Sequence, residues 1–534
     1  MNLYKLISFS LFLFFTANTF GQAPFFPLNV KDFGASGNKD DKVTQAIQQA
    51  IDSCEKQGGG TVYFPPGNYT SGSIRLKNNV TLWLESGATL YASQDPGDFN
   101  IQSTWGDLVF IFADSVHHIA IRGKGTIHGQ ARRTYENLKE VDNFISDVTE
   151  NARQAGVEMK MYYKVEPAIR MMILERCTDI TIEDVSLIES CSWTMDLKQC
   201  ERVFIRGVYI QSSLESGVNS DGIDIDGCKN VTVSDCVVLT GDDAIALKSK
   251  NREGVSYNCE NITVTNCVVS STSTGLKIGT ESYGDFRHIT FSNCVVRNSN
   301  RGLSIVIRDG GTVDNLIFSN ITIETNRKHF NWWGDGDAIW LVILKRRERS
   351  RLGQIKNVVF ENIIARSQGT SKLEGYLPDE KHPEGRKLEN IQFRNVQFFM
   401  EAEDYADKRA DHAFSAHDVD GLVLDNVSVK WDSEKTEPKW ANALYLNHVN
   451  DLRISDFRGR QGLLESERPV IVMRNVKKAF INNIEAEVGT KKLIEILGKE
   501  TENIRLRDLD IFEVAEEDVI LREDVEPSQI IQMK

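Results

Sequence analysis

The chain has 534 residues, and its 62 basic and 76 acidic side chains give a formal net charge of −14. Hydrophobic residues make up 41% and charged residues 26%, a globular balance that excludes a wholly disordered chain. The acidic surplus disfavours nucleic acid as the main partner, because a phosphate backbone requires a basic surface. Length alone would allow about three or four domains, but an internal repeat overrides that estimate.

The first 21 residues have the pattern of an export signal. Lys5 gives a positive start, Leu6 to Phe15 is apolar, and a small-residue cleavage site precedes Gln22. The apolar stretch is too short to span a bilayer, and no later segment approaches about 18 uninterrupted apolar residues. A buried N-terminal helix is the alternative interpretation. We expect residues 1–21 to be a signal peptide and residues 22–534 to be a monomer without membrane association, exported to the periplasm or the extracellular space.

A nine-residue phrase recurs from Asp179 onward at intervals of 23 to 42 residues. Its copies include DITIEDVSL from Asp179, NVTVSDCVV from Asn230 and NIQFRNVQF from Asn390. Each copy alternates apolar and polar residues in the manner of a strand and has no helical period. Units of this length fit one coil of a solenoid, whereas a propeller blade would need about 40 residues and four strands. The sequence predicts an all-β, single-stranded parallel β-helix.

Aligning the copies produces columns of like residues. One column contains Asn266, Asn293, Asn320, Asn362, Asn395 and Asn426. It predicts a side-chain ladder at a turn between strands. The next column mixes Cys236, Cys267 and Cys294 with aliphatic residues, which indicates buried, free thiols. A disulfide between neighbouring coils stays open on geometric grounds, and the absence of paired CxxC motifs argues against zinc.

A second stackable segment carries the candidate chemistry. It reads SDGIDID from Ser220, DDAIALK from Asp242 and STGLKIG from Ser273, with apolar residues alternating inward. Asp221 and Asp242 are 21 residues apart, about one coil, so these two carboxylates and Asp243 should lie within a few ångströms of one another. Such crowding makes one group take up a proton near neutral pH, and an acid beside carboxylates is the equipment of glycosidic hydrolysis. Turn capping or calcium binding by these Asp residues is the alternative.

The chain resembles glycoside hydrolase family 28, the polygalacturonase-like enzymes of the pectin-lyase type. The resemblance runs from about Val30 to about Gly369 and includes VKDFGASG at Val30 and CSWTMDL at Cys191. The run from Val218 to Asp224 is similar to the family's Asn-Thr-Asp motif, and Gly241-Asp242-Asp243 to its Gly-Asp-Asp motif. The resemblance implies a right-handed parallel β-helix with a core at about residues 30–369, and we expect further coils from there to the C-terminus.

The resemblance also implies catalytic roles. Asp242 would be the general acid that protonates the leaving oxygen, while Asp221 and Asp243 would position and deprotonate water on the opposite face, with inversion. No metal or cofactor is expected. The implied function is hydrolysis of O-glycosidic bonds in a pectin-like or other complex polysaccharide.

Two family motifs are absent. Thr274 stands where the family has the histidine of Gly-His-Gly, and Ser304-Ile305-Val306 stands where it has Arg-Ile-Lys. In the family that Arg and Lys grip the substrate carboxylate, so plain polygalacturonate is expected to be a poor substrate here.

Residues near the carboxylates are candidates for contact with the sugar. They are Lys248, Thr274, Lys277, Glu281, Arg301, Arg308, Trp332 and Trp333. For each cation, a solvated surface position is the alternative, and for the two tryptophans it is packing beneath a loop. Residues 131–166 interrupt the coils with helical leanings from Tyr135 to Met161 and could form a wall of the cleft. The tail after about Thr370 keeps the repeat without a catalytic signature.

Two other function classes remain open at this stage. A polysaccharide lyase or epimerase on this architecture would use a basic residue as proton abstractor, often with calcium on an acidic cluster. A non-catalytic carbohydrate-binding β-helix would have no use for an adjoining acid and base, which the Asp242-Asp243 pair disfavours.

Overall fold

The computed structural model describes residues 27–131, 135–137, 150, 153–157, 162–164, 168–328, 334–383, 385–464, 466–510, 514 and 519–533. The predicted signal segment, Trp332 and Trp333 lie outside them. The strands pair in parallel from one coil to the next in a single continuous sheet that begins at Leu28 and ends at Met533. The predicted parallel β-helix is confirmed. Across these residues, no helix combines the length and the apolarity needed to cross a bilayer.

One face of the β-helix, the site face, carries the candidate catalytic segment. Its strands, stacked in chain order, are Ile74–Arg75, Val109–Asp114, Arg170–Glu175, Met195–Lys198, Ile223–Asp226, Ile245–Ser249, Thr274–Ser282, Arg301–Ile307, Asp337–Ile343, Ser371–Glu374, the first part of Phe414–Trp431, the first part of Leu444–Gly459, Pro469–Arg474, Lys492–Leu497 and Ile520–Glu523.

The nine-residue phrases form the other two faces. The second face contains Leu28–Asn29, Gly60–Phe64, Val80–Leu84, His117–Gly123, Thr178–Glu183, Glu201–Arg206, Lys229–Ser234, Cys259–Thr265 and Phe286–Ser292. The third face contains Gly67–Ser71, Ala88–Ala92, Thr126–His128, Ser186–Ile188, Tyr209–Gln211, Val237–Thr240, Val268–Ser271 and Val295–Ser299. From Thr312 the two faces join in bent strands, which are Thr312–Thr325, Gln354–Ser367, Leu388–Met400 and the later parts of Phe414–Trp431 and Leu444–Gly459, followed by Lys477–Ala486, Glu502–Asp510 and Ile530–Met533.

The remaining elements are short or lie at the N-terminal end. The helix Thr44–Lys56 buries Ala46, Ile47, Ala50, Ile51 and Cys54, a helical spacing that packs one stripe on the first coils. Turns of 3-10 helix are Val30–Phe33, Pro96–Asp98 and Pro527–Gln529. Two antiparallel pairs join Tyr135–Asn137 to Tyr162–Lys164 and Asn251–Arg252 to Val255–Ser256.

The interior is filled by the alternation that the sequence predicts. On the site face, Ile225 stacks between Leu197 and Leu247, and all three are fully buried. Four phenylalanines from successive coils stack with ring centroids 4.7–5.1 Å apart, Phe291, Phe318, Phe360 and Phe393. Because each such side chain contributes about 1.5–3 kcal/mol on burial, every coil is stabilised mainly by its neighbours.

The predicted asparagine ladder is confirmed from Asn293 to Asn426. Each amide donates to the carbonyl oxygen of the previous rung over 2.8–3.0 Å, and all six predicted residues have φ between 51° and 56°. Asn266 continues the ladder onto Asp235 instead. Asparagine tolerates this left-handed backbone, which turns the chain between two faces.

The thiols also behave as predicted, because all nine cysteines are buried and free. The helical prediction for Tyr135 to Met161 is wrong at its start, since Tyr135–Asn137 is a strand. Its partner Tyr162–Lys164 opens with two tyrosines, and aromatic residues favour the extended chain.

Candidate active site

Three aspartates meet on the site face as their one-coil spacing predicts. Gly222 N donates to Asp243 O over 2.9 Å, which sets Asp221 beside Asp243 on adjacent coils. Asp242, Asp243 and Asp221 each place a carboxylate oxygen within 4.8 Å of the other two. All three side chains are buried, with at most 4% of the residue surface exposed.

Two lysines neutralise two of the three carboxylates. Lys248 Nζ lies 2.7 Å from Asp221 Oδ2 and 2.8 Å from Asp224 Oδ1. Lys277 Nζ lies 2.6 Å from Asp243 Oδ2. Both lysines come from positions facing away from the interior, so the β-helix register delivers their charges directly onto the acids.

Asp242 is held by neutral donors. Its Oδ1 accepts from Asp243 N at 2.8 Å, and its Oδ2 accepts from Asn219 N at 3.2 Å and Asn219 Nδ2 at 3.4 Å. Burial, followed by the charges of Asp221 and Asp243, raises the pKa of Asp242 well above its ordinary value. Of the three clustered aspartates, Asp242 is therefore the one whose protonated form is favoured most.

The other two aspartates differ in how many of their carboxylate oxygens accept hydrogen bonds or form salt bridges. Asp243 Oδ1 accepts from Ser273 Oγ at 2.8 Å and from Thr274 N at 3.3 Å, while its Oδ2 meets Lys277. Among the described residues, the buried Asp221 Oδ1 has no hydrogen-bond partner. Burial raises the pKa of Asp221, and Lys248 opposes that effect. Asp221 thus keeps one lone-pair-bearing oxygen available for an incoming water.

The same three carboxylates could act as ligands of a hard cation. The ammonium groups of Lys248 and Lys277 already provide positive charge at that place, at salt-bridge distance. Burial alone would lower the pKa of Lys248, but Asp221 and Asp224 outweigh it and hold the pKa well above its usual value. Lys248 is therefore a permanent cation at neutral pH.

Of the predicted sugar contacts, Thr274 and Arg301 lie in the same column as Asp243. Thr274 Oγ1 accepts from Ser304 Oγ at 3.5 Å, so these two of the three replaced family positions lie in one buried polar layer. Arg301 is engaged by Asp337, with N–O distances of 2.6 and 3.2 Å, and its guanidinium lies 3.9 Å from the ring centroid of Trp340. Its contact with substrate stays a prediction.

Glu281 and Arg308 both interact with Arg346. Arg346 binds Asp309 at 2.8 and 3.0 Å and reaches Glu281 at 3.5 Å. Burial would raise the pKa of Glu281, but Lys248, Lys250 and Arg346 lower it to about 2. Burial, together with Arg346, lowers the pKa of Arg308.

Several residues of the site were absent from the sequence prediction. The indole of Trp193 lies under Lys248 and Lys250, whose Nζ atoms are 3.6 and 3.7 Å from its ring centroid. Thr194 N donates to Asp221 O, so Trp193 occupies the column position one coil before Asp221. Extending the aspartate column backward into CSWTMDL would have found it.

The chain is similar in sequence to known polygalacturonases. A probable polygalacturonase of Vitis vinifera is 29% identical over 243 residues, which are 42% of this chain and 45% of the relative. An endo-polygalacturonase of Pectobacterium parmentieri is 26% identical over 253 residues, 45% of this chain and 59% of the relative. The chain thus spans about half the length of the curated relatives it matches.

Among solved structures, a hyperthermoactive exopolygalacturonase from Thermotoga maritima aligns with a TM-score of 0.57 at 22% identity, covering 77% of this chain and 93% of that one. This likeness concerns the fold. The model of the glycosyl hydrolases family 28 matches residues 54–402, and the chain therefore belongs to that family.

Proposed function

We propose that the protein is an exported glycoside hydrolase that cleaves O-glycosidic bonds of a pectin-type polysaccharide with inversion. One observation carries the proposal: three buried carboxylates place oxygens within 4.8 Å of one another, and in the described part of the chain lysines pair with Asp221 and Asp243 but not with Asp242. The unequal pairing separates an acid from two bases in one cluster, as glycoside hydrolysis requires. The signal-like pattern of residues 1–21 supports export.

The proposed reaction uses each carboxyl group differently. Asp242 donates its proton to the leaving glycosidic oxygen as the bond to the anomeric carbon breaks. Asp221 accepts a proton from the attacking water through Oδ1, and Asp243, fixed by Ser273 and Lys277, orients that water. The ammonium of Lys248 favours the charged form of Asp221 and so opposes the effect of burial on that carboxyl group.

Inversion is the part of the proposal that family membership supports. One oxygen of each carboxylate lies within 4.8 Å of the others, which is closer than the roughly 6.5–9.5 Å usual for inverting pairs and no farther than the roughly 5–5.5 Å of retaining pairs. Product stereochemistry therefore decides this point independently of the identity of the acid.

The charges around the cluster favour a substrate of low charge. Lys277 is paired with Asp243, Arg301 with Asp337, and Arg346 with Asp309. A uronate carboxylate entering this cleft would compete with carboxylates of the protein for each of these cations. We therefore propose a neutral or modified residue, such as a methyl-esterified uronate, at the cleavage point.

A lyase would need a neutral base beside the sugar. Lys248 does not meet that need, because its pKa is raised and its ammonium is held by two carboxylates. This contrast favours hydrolysis.

Incubation with polygalacturonate, methyl-esterified pectin and rhamnogalacturonan tests the proposal. We expect new reducing ends without ultraviolet-absorbing unsaturated products, fastest on the less charged polymers, and an initial product of inverted anomeric configuration by NMR. The Asp242→Asn protein is the matched control for contaminating activity. Unsaturated products, or no cleavage of any polymer by the folded protein, would contradict the proposed hydrolysis.

A further inference from the structure

The outward columns of the site face continue far beyond the aspartate cluster. Residues in register with Lys277 on the following coils are Ser304, Trp340, Lys372, Ser415 and Tyr445. Five coil steps of about 4.8 Å place Tyr445 roughly 24 Å along the β-helix axis from Lys277. This outward column, called here the strip, leads from the candidate active site to the C-terminal coils; Trp340, Lys372 and Tyr445 in it are partly exposed, whereas Ser304 and Ser415 are buried.

An aromatic group lies at the far end of this strip. The ring of His412 stacks on Tyr445 with centroids 4.7 Å apart and planes inclined by 13°. His417 approaches the same tyrosine at 5.6 Å and 38°. These three half-buried side chains form what is called here the C-terminal platform.

The two histidines of the platform are uncharged near neutral pH. Burial lowers the pKa of His412 and of His417, against the opposing effect of nearby carboxylates such as Asp411 and Glu374. Nδ1 of His412 accepts from Asn442 N at 3.4 Å, and Nδ1 of His417 lies 3.4 Å from Asn447 Nδ2. The second ring nitrogen, Nε2, is therefore the polar atom that each imidazole can offer to a ligand beside the flat ring of Tyr445. That combination suits a sugar, whose C–H face packs on an aromatic ring while its hydroxyl groups need hydrogen bonds.

Trp340 connects the platform with the active site. Its Nε1 donates to Glu374 at 2.6 Å, which fixes the indole, and Arg301 lies over the ring at 3.9 Å from the centroid. Trp340 lies two coils after Lys277 and three coils before Tyr445. The strip therefore contains an aromatic side chain between the candidate active site and the platform.

The cations along this strip are paired with carboxylates. Lys372 lies 3.3 Å and Arg409 2.9 Å from oxygens of Asp335, and Arg301 is bound by Asp337. A strip of balanced charge does not attract a polyanion strongly. Its chemistry therefore matches a hydroxyl-rich glycan of low charge.

We propose that the C-terminal platform is a binding site for the same pectic chain at sugars remote from the scissile bond. The inference rests on the proposed function for the identity of the ligand. It adds a site at His412, His417 and Tyr445, which lie after residue 402, where the match to the family ends. Through this site the enzyme holds long chains better than short ones.

Binding to methyl-esterified pectin tests the platform without catalysis. Full-length protein carrying Asp242→Asn is run through native gels that contain the polymer, alone and with Tyr445→Ala or His417→Ala. We expect retardation by the polymer and an affinity about two- to tenfold weaker for each platform variant, the range of one lost aromatic contact. Tyr445→Trp should restore retardation because it keeps a ring face.

Phe204→Ala is the matched control, since Phe204 is an aromatic residue that is 55% exposed on another face. Its retardation should equal that of the parent. Thermal melting identifies any variant that is unfolded, and the second platform variant then decides. The inference is overturned if the polymer does not retard the parent protein. It is also overturned if the parent and both folded platform variants are retarded equally. Cleavage of the polymers by wild-type protein is measured separately. Cleavage without any effect of the platform variants on retardation would contradict the platform alone, whereas retardation without cleavage would contradict the proposed hydrolysis alone.

Discussion

Replacing Asp242 by Asn tests the assignment of the acid with little change of shape. The amide carbonyl still accepts from Asp243 N, but its NH₂ group would face the two donors of Asn219, which now contact Oδ2 at 3.2 and 3.4 Å. Losing two long hydrogen bonds costs roughly 1–2 kcal/mol. Where Asp242 carries its proton, the replacement removes no charge, so the lost hydrogen bonds set the cost and we expect the free energy of unfolding to fall by less than about 2 kcal/mol.

The rate of glycosidic cleavage by Asp242→Asn, in contrast, should fall by orders of magnitude. A general acid is worth about 10²–10⁴-fold, so the barrier to cleavage should rise by roughly 2.7–5.4 kcal/mol. Because Asp242 works only when protonated, activity of the wild type should fall as pH rises through its raised pKa. That alkaline limb should be missing from the residual activity of Asp242→Asn.

The assay is the initial rate of reducing-end release across a pH series, with thermal melting on the same samples. Asp226→Asn is the matched control, because Asp226 is also a buried carboxyl group whose raised pKa comes mainly from burial, and it lies outside the cluster of three. It should retain activity within about tenfold of the wild type. A folded Asp242→Asn protein with rates equal to those of Asp226→Asn, or with the alkaline limb intact, would refute the assignment.

Four further predictions concern stability and specificity. A raised pKa means that the folded state binds the Asp242 proton more tightly than the unfolded state does. The resulting stabilisation is present at low pH and is lost as pH rises above about 4 through the folded pKa. The melting temperature of Asp242→Asn minus that of the wild type should therefore increase with pH. Lys277→Met should destabilise the fold because it leaves Asp243 buried and unpaired, and adding Asp243→Asn should recover part of the loss in denaturant melts. Glu281→Gln removes a negative charge from the cleft, so the ratio of kcat/KM on polygalacturonate to that on methyl-esterified pectin should rise; an unchanged ratio would contradict its role in charge selection. Asn362→Ala should lower the free energy of unfolding by about 2–4 kcal/mol through backbone strain and two lost hydrogen bonds. Asn362→Gly should lower it less, because glycine adopts the left-handed backbone freely. Equal losses of stability in chemical denaturation would exclude the strain argument.

The repeat made the fold and the aspartate cluster predictable from sequence. In a parallel coil, every residue lies beside its equivalent in the next coil, so a column in an alignment becomes a line of contacts. The position of Asp221 beside Asp243 follows from that rule alone, and the backbone bond from Gly222 confirms it. The interior and the asparagine ladder were predictable for the same reason, since each depends on one column.

Contacts between columns were not predictable in this way. Lys248 stands in another outward column from Asp221, and only its extended side chain brings the two charges to 2.7 Å. Arg346 follows its strand, and its pairing with Asp309 depends on the path of a loop. The pairing of Arg301 with Asp337 is different, because the two are neighbours in one column and the alignment already placed them together.

The substitutions in the family motifs acquire a physical meaning in the structure. Ser273 and Thr274 stand where the resemblance places Gly-His, and both donate to Asp243, so this coil still fixes the carboxylate without an imidazole. The family has a cation at the position of Ser304, and this chain lacks it. Lys277, which pairs in register with Ser304 from one coil earlier, carries a positive charge but forms a salt bridge with Asp243. Because the ammonium is tied to Asp243, a uronate would have to compete with that carboxylate for it. The proposed function therefore combines an acid and two bases for glycosidic cleavage with a preference for less acidic sugars.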